Sequence, residues 1–190
     1  MPEKSKLLVG LLIFSEANFF LVLIIAYIFY HATGGVWLAT TTGPTAAGSL
    51  SVGLAAINTL FLLASSVTMH RAEQIQRSDD PSQLPRWLLV TIALGTIFLI
   101  LQGVEWSGLI RDDVTISRDL FGSTFFTLTG FHGFHVFVGL VCLLILVGMA
   151  LARGLTRKQG VALEAVALYW HFVDAVWIVV FTVVYLWVLL

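Results

Sequence analysis

Apolar residues run along this chain in five long blocks separated by short polar stretches. The first block, Leu7 to Tyr30, is 24 residues long. As a helix it measures roughly 36 Å, enough to cross a hydrocarbon core of about 30 Å. The pattern predicts membrane-spanning helices over 6–31, 50–69, 87–106, 121–152 and 164–190, in a single transmembrane domain covering 1–190. Gly34, Gly35 and Gly43-Pro44 mark the first connection as turn-forming, and Pro81 and Pro85 precede the third helix. The fourth block is too long for one perpendicular span, so that helix is expected to tilt or extend past the bilayer. The second is rich in small residues (Gly53, Ala55, Ala56, Ala64, Ser65, Ser66), which let backbones approach closely in lipid, with Asn58 and Thr59 as polar bridging candidates.

Composition agrees with the block pattern. Apolar residues make up 58% of the chain and charged residues 11%, with a mean hydropathy of +0.95. Water-soluble domains carry about 25% charged residues, so the expectation is an all-α, multi-pass membrane protein with no separate soluble domain. The first block is too long for a signal peptide's apolar region and is read as a retained helix. Net charge is −1, which gives no basic field for nucleic acid. One cysteine, Cys142, makes neither an internal disulfide nor a paired-thiolate metal site. Trp37, Trp106 and Trp187 fall near predicted helix ends, as interface anchors do.

With five spans the termini lie on opposite sides. Lys4, Lys6, Arg71, Arg77, Arg86, Arg153, Arg157 and Lys158 fall on the N-terminal side; only Arg111 and Arg118 fall on the other. This asymmetry predicts a cytoplasmic N-terminus and an external C-terminus.

The informative residues are the ionisable ones at membrane depth. Glu16 falls near the middle of the first span, where a carboxyl costs about 2.5–3.5 kcal/mol on insertion scales. His132 and His135 fall near the middle of the fourth, His171 and Asp174 in the cytoplasmic half of the fifth, and Glu105 near the outer end of the third. Each i, i+3 pair shares a helix face. Such groups should face the bundle interior and pair with one another, most simply through a His–Asp hydrogen bond between the fourth and fifth helices. Three readings stand side by side. The groups can be interhelical hydrogen-bond bridges, worth about 0.6 kcal/mol each. They can form a carboxylate-histidine metal or haem site in a bundle core, although no Cys-rich or HExxH pattern accompanies them. Or they can handle protons or bind polar lipid, centred on Glu16, because a neutral, exchangeable carboxyl is suited to taking up and releasing a proton. His31 and His70 are read as interface residues near helix ends. The stripe Phe121, Phe125, Phe126, Phe131, Phe134 and Phe137 is read as packing or lipid contact, and Asp79-Asp80 and Asp112-Asp113 as solvated loop charges.

Five segments carry a resemblance. SEANFF (Ser15 to Phe20) is similar to an S-E-x-x-F-F helix with Glu16 as its buried carboxylate. Asn58-Thr59 leads into LLASSVT. Gln102 to Trp106 is similar to Q-x-x-E-Y, with Trp106 in place of Tyr. GSTFFTLTGFHGFHVFVG (Gly122 to Gly139) and YWHFVDAVW (Tyr169 to Trp177) are the most specific. Together they span nearly the whole chain, which resembles subunit III of the haem–copper terminal oxidases, the cytochrome c oxidase group. That family's mitochondrial type has seven helices, the first two forming one wall of a lipid-filled cleft. This chain looks like a shorter bacterial form without them, and it lacks the family's Trp-Pro-Pro run after Trp37.

The resemblance implies a non-catalytic subunit of a proton-translocating oxidoreductase complex in the bacterial plasma membrane. Its expected partners are subunit I directly, subunit II, and small subunits or a respiratory supercomplex. No cofactor or metal is expected in this chain, with haem and copper in the partner subunits and phospholipid bound. The residues agree: five histidines cannot supply the six ligands that two haems and a copper need, and one Cys cannot build a two-thiolate copper site. The resemblance implies that Glu16 serves proton uptake by subunit I, while depth and spacing place Glu105, His132, His135, His171 and Asp174 in an intramembrane polar network. Equivalent subunits of quinol oxidases or nitric oxide reductase clusters fit the same residues, and a stand-alone proton-linked transporter or an autonomous metal or haem enzyme are the alternatives of another class.

Overall fold

A computed structural model of the chain describes residues 3–33, 50–78, 81–117, 120–153 and 157–187. Among these, all regular structure is helical. The five long helices are α1 (Glu3–Ala32), α2 (Val52–Gln76), α3 (Leu84–Arg111), α4 (Leu120–Arg153) and α5 (Arg157–Phe181). Each contains a window long and apolar enough to cross a membrane. Trp37, Asp79-Asp80 and Arg118 lie outside the described residues, as do the side chains of Lys4, Lys6, Arg153, Arg157 and Lys158.

Local chemistry sets the helix ends. Ser51 caps α2, its hydroxyl accepting from the Leu54 N–H at 3.4 Å. Pro85 stands in the first turn of α3, where a missing N–H costs nothing. Asp113 ends α3 in the left-handed region (φ 64°), and the Val114 N–H returns to the Leu109 carbonyl at 2.9 Å, so one of the loop aspartates is a helix terminator. Helices run past the predicted spans at several ends, and α5 begins at Arg157 rather than at 164. α2 continues beyond Met69 to Gln76 because Ala72 on its inner face is still fully buried. α3 begins at Leu84, also fully buried, rather than at Trp87.

α2, α3, α4 and α5 form a closed ring in which each helix packs against two neighbours. α1 lies outside the ring, in the groove between α4 and α5. Its spanning window is 6% buried, against 28–33% for the other four. Leu7, Leu8, Leu11, Phe14, Val22 and Phe29 point outward. The helix is apolar on all sides, so the bilayer or another subunit covers what the ring does not.

Trp170 of α5 locks the ring. Its indole is fully buried, and its Nε1–H donates to Ser65 Oγ on α2 at 3.0 Å. The ring rests on two glycines: a Cβ built at Gly95 of α3 or at Gly139 of α4 would lie 2.8 Å from Trp170 carbons. One side chain therefore joins all four helices, and the close approach depends on two missing methyl groups. Lower in the same seam, Trp177 Nε1–H donates to Thr59 Oγ1 at 3.0 Å. Gly139→Ala and Gly95→Ala are each expected to cost about 1–3 kcal/mol by overpacking. Thermal unfolding of the detergent-solubilised protein checks this; an unchanged midpoint for both variants would mean that Trp170 is not held by the two glycines.

Candidate functional site

The polar side chains at depth fall into separate groups, each at a helix–helix seam. The first joins α1 to the ring. Glu16 Oε2 lies 3.0 Å from His135 Nε2 of α4, with the two side chains 28% and 12% exposed. The other ring nitrogen, His135 Nδ1, lies 2.6 Å from the Phe131 carbonyl oxygen one turn earlier. A carbonyl only accepts, so Nδ1 carries a hydrogen and the Nε2···Oε2 contact has two neutral-overall forms. Either a protonated Glu16 donates to a neutral imidazole, or an imidazolium donates to a carboxylate. In both forms the pair holds one shared proton. Phe19 and Phe20 of α1 pack edge-on against Phe131 and His135, at ring separations of 4.9 Å each, and shield the pair. Tyr169 Oη of α5 donates to the His135 carbonyl at 3.1 Å, tying the same point to a third helix.

The second group closes the C-terminal end of α3. Gln102 Nε2 donates to Glu105 Oε2 at 2.9 Å, and Tyr185 Oη donates to the same oxygen at 2.7 Å. Tyr185 comes from a π-helical segment, Thr182–Leu186, that follows α5. The wider turn rotates the chain so that Val184 and Tyr185 are both buried.

The third group lies between α2 and α5. His171 Nδ1 is 2.7 Å from Ser66 Oγ, and His171 Nε2 is 3.6 Å from Glu73 Oε2. His70 Nδ1 lies 3.6 Å from the same Glu73 oxygen. Asp174, 4% exposed, faces Ser66, but neither of its carboxyl oxygens closes a hydrogen bond among the described residues. A pocket of about 530 Å³ opens beside this seam, lined by Glu73, Gln76, Arg77, Gly160, Val161, Leu163 and Glu164.

These placements correct one expectation. Among the described residues no His–Asp hydrogen bond joins α4 to α5. His135 turns toward Glu16 on α1, and His171 turns toward α2. His132 makes no hydrogen bond through either nitrogen among the described residues. It is 1% exposed and caged by Phe20, Phe98 and Trp177, whose ring centre is 4.8 Å away. Sharing a helix face with His135 brought it to the same seam region but not to a partner. Glu105, placed near the outer end of α3, is bonded within its own helix and to Tyr185.

Sequence reasoning passed over Ser66, Glu73, Tyr169 and Tyr185. Glu73 was placed in a charged loop; the burial of Met69 and Ala72 extends α2 through it and turns it toward His171. The i, i+3 spacing of Met69 and Ala72 was the available signal. Of the aromatic stripe, Phe121 and Phe125 are buried, while Phe131, Phe134 and Phe137 are exposed. His70 is exposed, and His31 stacks on Tyr27 near Trp187, as befits helix-end residues. Among the described residues, no three His, Cys, Asp or Glu side chains are arranged to hold a metal ion.

Tyr185→Phe removes a buried donor from Glu105 and is expected to destabilise the protein by about 1–3 kcal/mol, the range for leaving a buried polar group unsatisfied. The melting midpoint of Y185F reads this; a midpoint equal to the parent would show that the bond contributes nothing.

Comparison with known proteins meets this architecture from another side. The profile of the family described as cytochrome c oxidase subunit III matches residues 3–189. Among curated proteins, cytochrome c oxidase subunit 3 of Synechocystis sp. is 36% identical over 186 residues, covering 97% of this chain and 76% of the relative. The Homo sapiens protein of the same name is 36% identical over 193 residues, covering 98% of this chain and 71% of the relative. That of Oncorhynchus nerka is 35% identical over 193 residues, with the same coverage.

Proposed function

The chain belongs to the cytochrome c oxidase subunit III family, and from that premise we propose that it is a non-redox accessory subunit that supports proton uptake by the catalytic subunit of its oxidase. Membership places it in an oxidoreductase complex with other oxidase subunits. The chemistry of dioxygen reduction belongs to haem and copper in those partners. The three histidines at membrane depth are otherwise engaged: His135 is bonded at both nitrogens, His171 is turned to Ser66 and Glu73, and His132 is enclosed by aromatic rings.

The observation that carries the proposal is the Glu16–His135 pair. It is a one-proton store held at mid-span on the helix that stands outside the ring. Its hydrogen-bond pattern keeps the pair neutral overall, so it can sit in hydrocarbon without a compensating ion. The exposed apolar sides of α1 and α4 around it are suited to subunit I, subunit II and structural phospholipid. The basic excess on the N-terminal side supports a cytoplasmic N-terminus and hence a bacterial plasma membrane orientation with the C-terminus outside. In this reading the chain, alone, catalyses nothing and transports nothing.

Glu16→Gln keeps a hydrogen-bonding side chain of similar shape and removes the exchangeable acid. The variant is expected to co-purify with the haem subunit at the parent level, to take up protons more slowly, and to inactivate faster during turnover. A hydrophobic carbodiimide should label the parent at Glu16 and leave the variant unlabelled there. Parent-like uptake, turnover and inactivation in the variant would sink the assigned role of Glu16. Liposomes of the isolated chain that conduct protons would sink the accessory reading as a whole.

A further inference from the structure

The seam between α2 and α5 holds groups that the Glu16 reading leaves unused. They form a directed series from a surface pocket into the membrane interior. Glu73 lines the 530 Å³ pocket where α2 ends and α5 begins, and its carboxylate lies 3.6 Å from His171 Nε2. His171 Nδ1 lies 2.7 Å from Ser66 Oγ, and Ser66 in turn faces the buried Asp174 carboxyl. We propose that Asp174 is a protonatable site in the membrane interior that exchanges its proton with the pocket through Ser66, His171 and Glu73.

Donor and acceptor rules fix the direction of the series. A carboxylate at Glu73 only accepts, so it favours the His171 tautomer with hydrogen on Nε2. Nδ1 is then an acceptor and takes the single hydroxyl hydrogen of Ser66. Ser66 Oγ, its hydrogen given to His171, can accept from an acid Asp174; neither Asp174 oxygen closes a hydrogen bond among the described residues, so this step needs a small approach. The charged groups of the two helices gather at the pocket end of the series. On α2 the neighbours are Ser66 and Glu73, with His70 bound to Glu73; Arg77 lies at the pocket with Glu164 of α5, 3.8 Å away. Arg77 and Glu164 are grouped with Glu73 at the pocket, while the side chain that faces Asp174 is the uncharged Ser66.

The transfer balances with Ser66 and His171 neutral before and after it and one negative charge moved from Glu73 to Asp174. The Asp174 O–H bond breaks as a new Ser66 O–H forms. The original Ser66 O–H breaks as His171 Nδ1–H forms, and His171 Nε2–H breaks as a Glu73 O–H forms. Asp174 ends as carboxylate, Glu73 as acid, and His171 as the other neutral tautomer. Glu73 then releases its proton to water in the pocket. The 3.6 Å step and the Ser66–Asp174 step close by small side-chain rotations or through one water each. Each group in the series is a side chain on one of two helices that already pack antiparallel, locked by Trp170–Ser65 and Trp177–Thr59. The inference stands apart from the role of Glu16, which touches none of these residues.

Infrared difference spectroscopy on the intact oxidase complex tests it. A carboxyl C=O band should vanish in Asp174→Asn and shift when the parent is moved from H₂O to D₂O. Ser66→Ala and Glu73→Gln should each slow that shift about tenfold or more, a difference of about 1.4 kcal/mol in barrier, and Ser66→Thr, which keeps the hydroxyl, should restore it. If Ser66→Ala fails to assemble with the haem subunit, Glu73→Gln at the partly open pocket decides alone. No band assignable to Asp174, or a shift at parental rate in the variants that assemble, overturns the proposal.

Discussion

The hydrocarbon core of a bilayer offers polar groups nothing to bond to, and the arrangement of this protein follows from that. Each helix satisfies its own backbone, so the side chains decide how helices meet. Ser65, Thr59, Ser66, Gln102 and Glu16 all find partners across a seam or within a turn of their own helix. Apolar side chains gain little by meeting one another rather than lipid, which leaves close backbone approach and hydrogen bonds as the adhesive. Trp170 uses both at once: its faces press on Gly95 and Gly139, and its N–H reaches Ser65. The ring of α2 to α5 is closed around that side chain. α1 has no equivalent; it rests against α4 and α5 with one ion-pair-like contact, which is why the same helix carries both the largest exposed apolar surface and Glu16.

The helical class and the five spans were legible because lipid imposes them on the sequence as long uninterrupted apolar runs. Depth was legible too, since position along a span converts directly into distance from the bilayer surface. Partnership was not. The i, i+3 spacing of His132 and His135 says that they share a face, but a helix face about 100° wide in a five-helix assembly looks at more than one neighbour. His135 meets α1 and His132 meets an aromatic cage, three residues apart. A carboxylate–histidine pair between α1 and α4 required knowing that α1 packs outside the ring, which no periodicity in a uniformly apolar helix reveals. Tyr185 was hidden for a different reason: the π turn at Thr182–Leu186 breaks the 3.6 period that a helical reading extrapolates. Glu73 was hidden by its charged neighbours Arg71 and Arg77, which made the end of α2 look like a loop.

The comparisons bear on the same division. Family membership accounts for the helical class and the oxidase context. The Glu16–His135 geometry gives physical content to the service that this context suggests. A lone carboxyl on a peripheral helix would carry the full cost of burial and favour a single protonation state. With His135 opposite, and with the Phe131 carbonyl holding Nδ1 as a donor, the proton can shift between oxygen and nitrogen while the pair stays neutral. The local aromatic wall of Phe19 and Phe20 limits water access without closing the site, because the Glu16 side chain retains partial exposure. Protection and access together suit the proton-uptake role proposed for Glu16.

The two exchangeable sets lie on different sides of the same barrier. Glu16 and His135 occupy the α1/α4 seam; Asp174, Ser66, His171 and Glu73 occupy the α2/α5 seam. Between them stand Trp170 and Trp177, both fully buried, with His132 offering no hydrogen bond to either set among the described residues. Tyr169 reaches His135 only through its backbone carbonyl, an acceptor that cannot pass a proton onward. The tryptophans that lock the helices together therefore also insulate the seams. In the proposed series a proton that enters at Glu73 reaches Asp174, while no hydrogen bond among the described residues leads on to Glu16. On the two proposals the interior of this subunit holds two separate one-proton stores rather than a channel, an arrangement that suits the accessory role proposed for it.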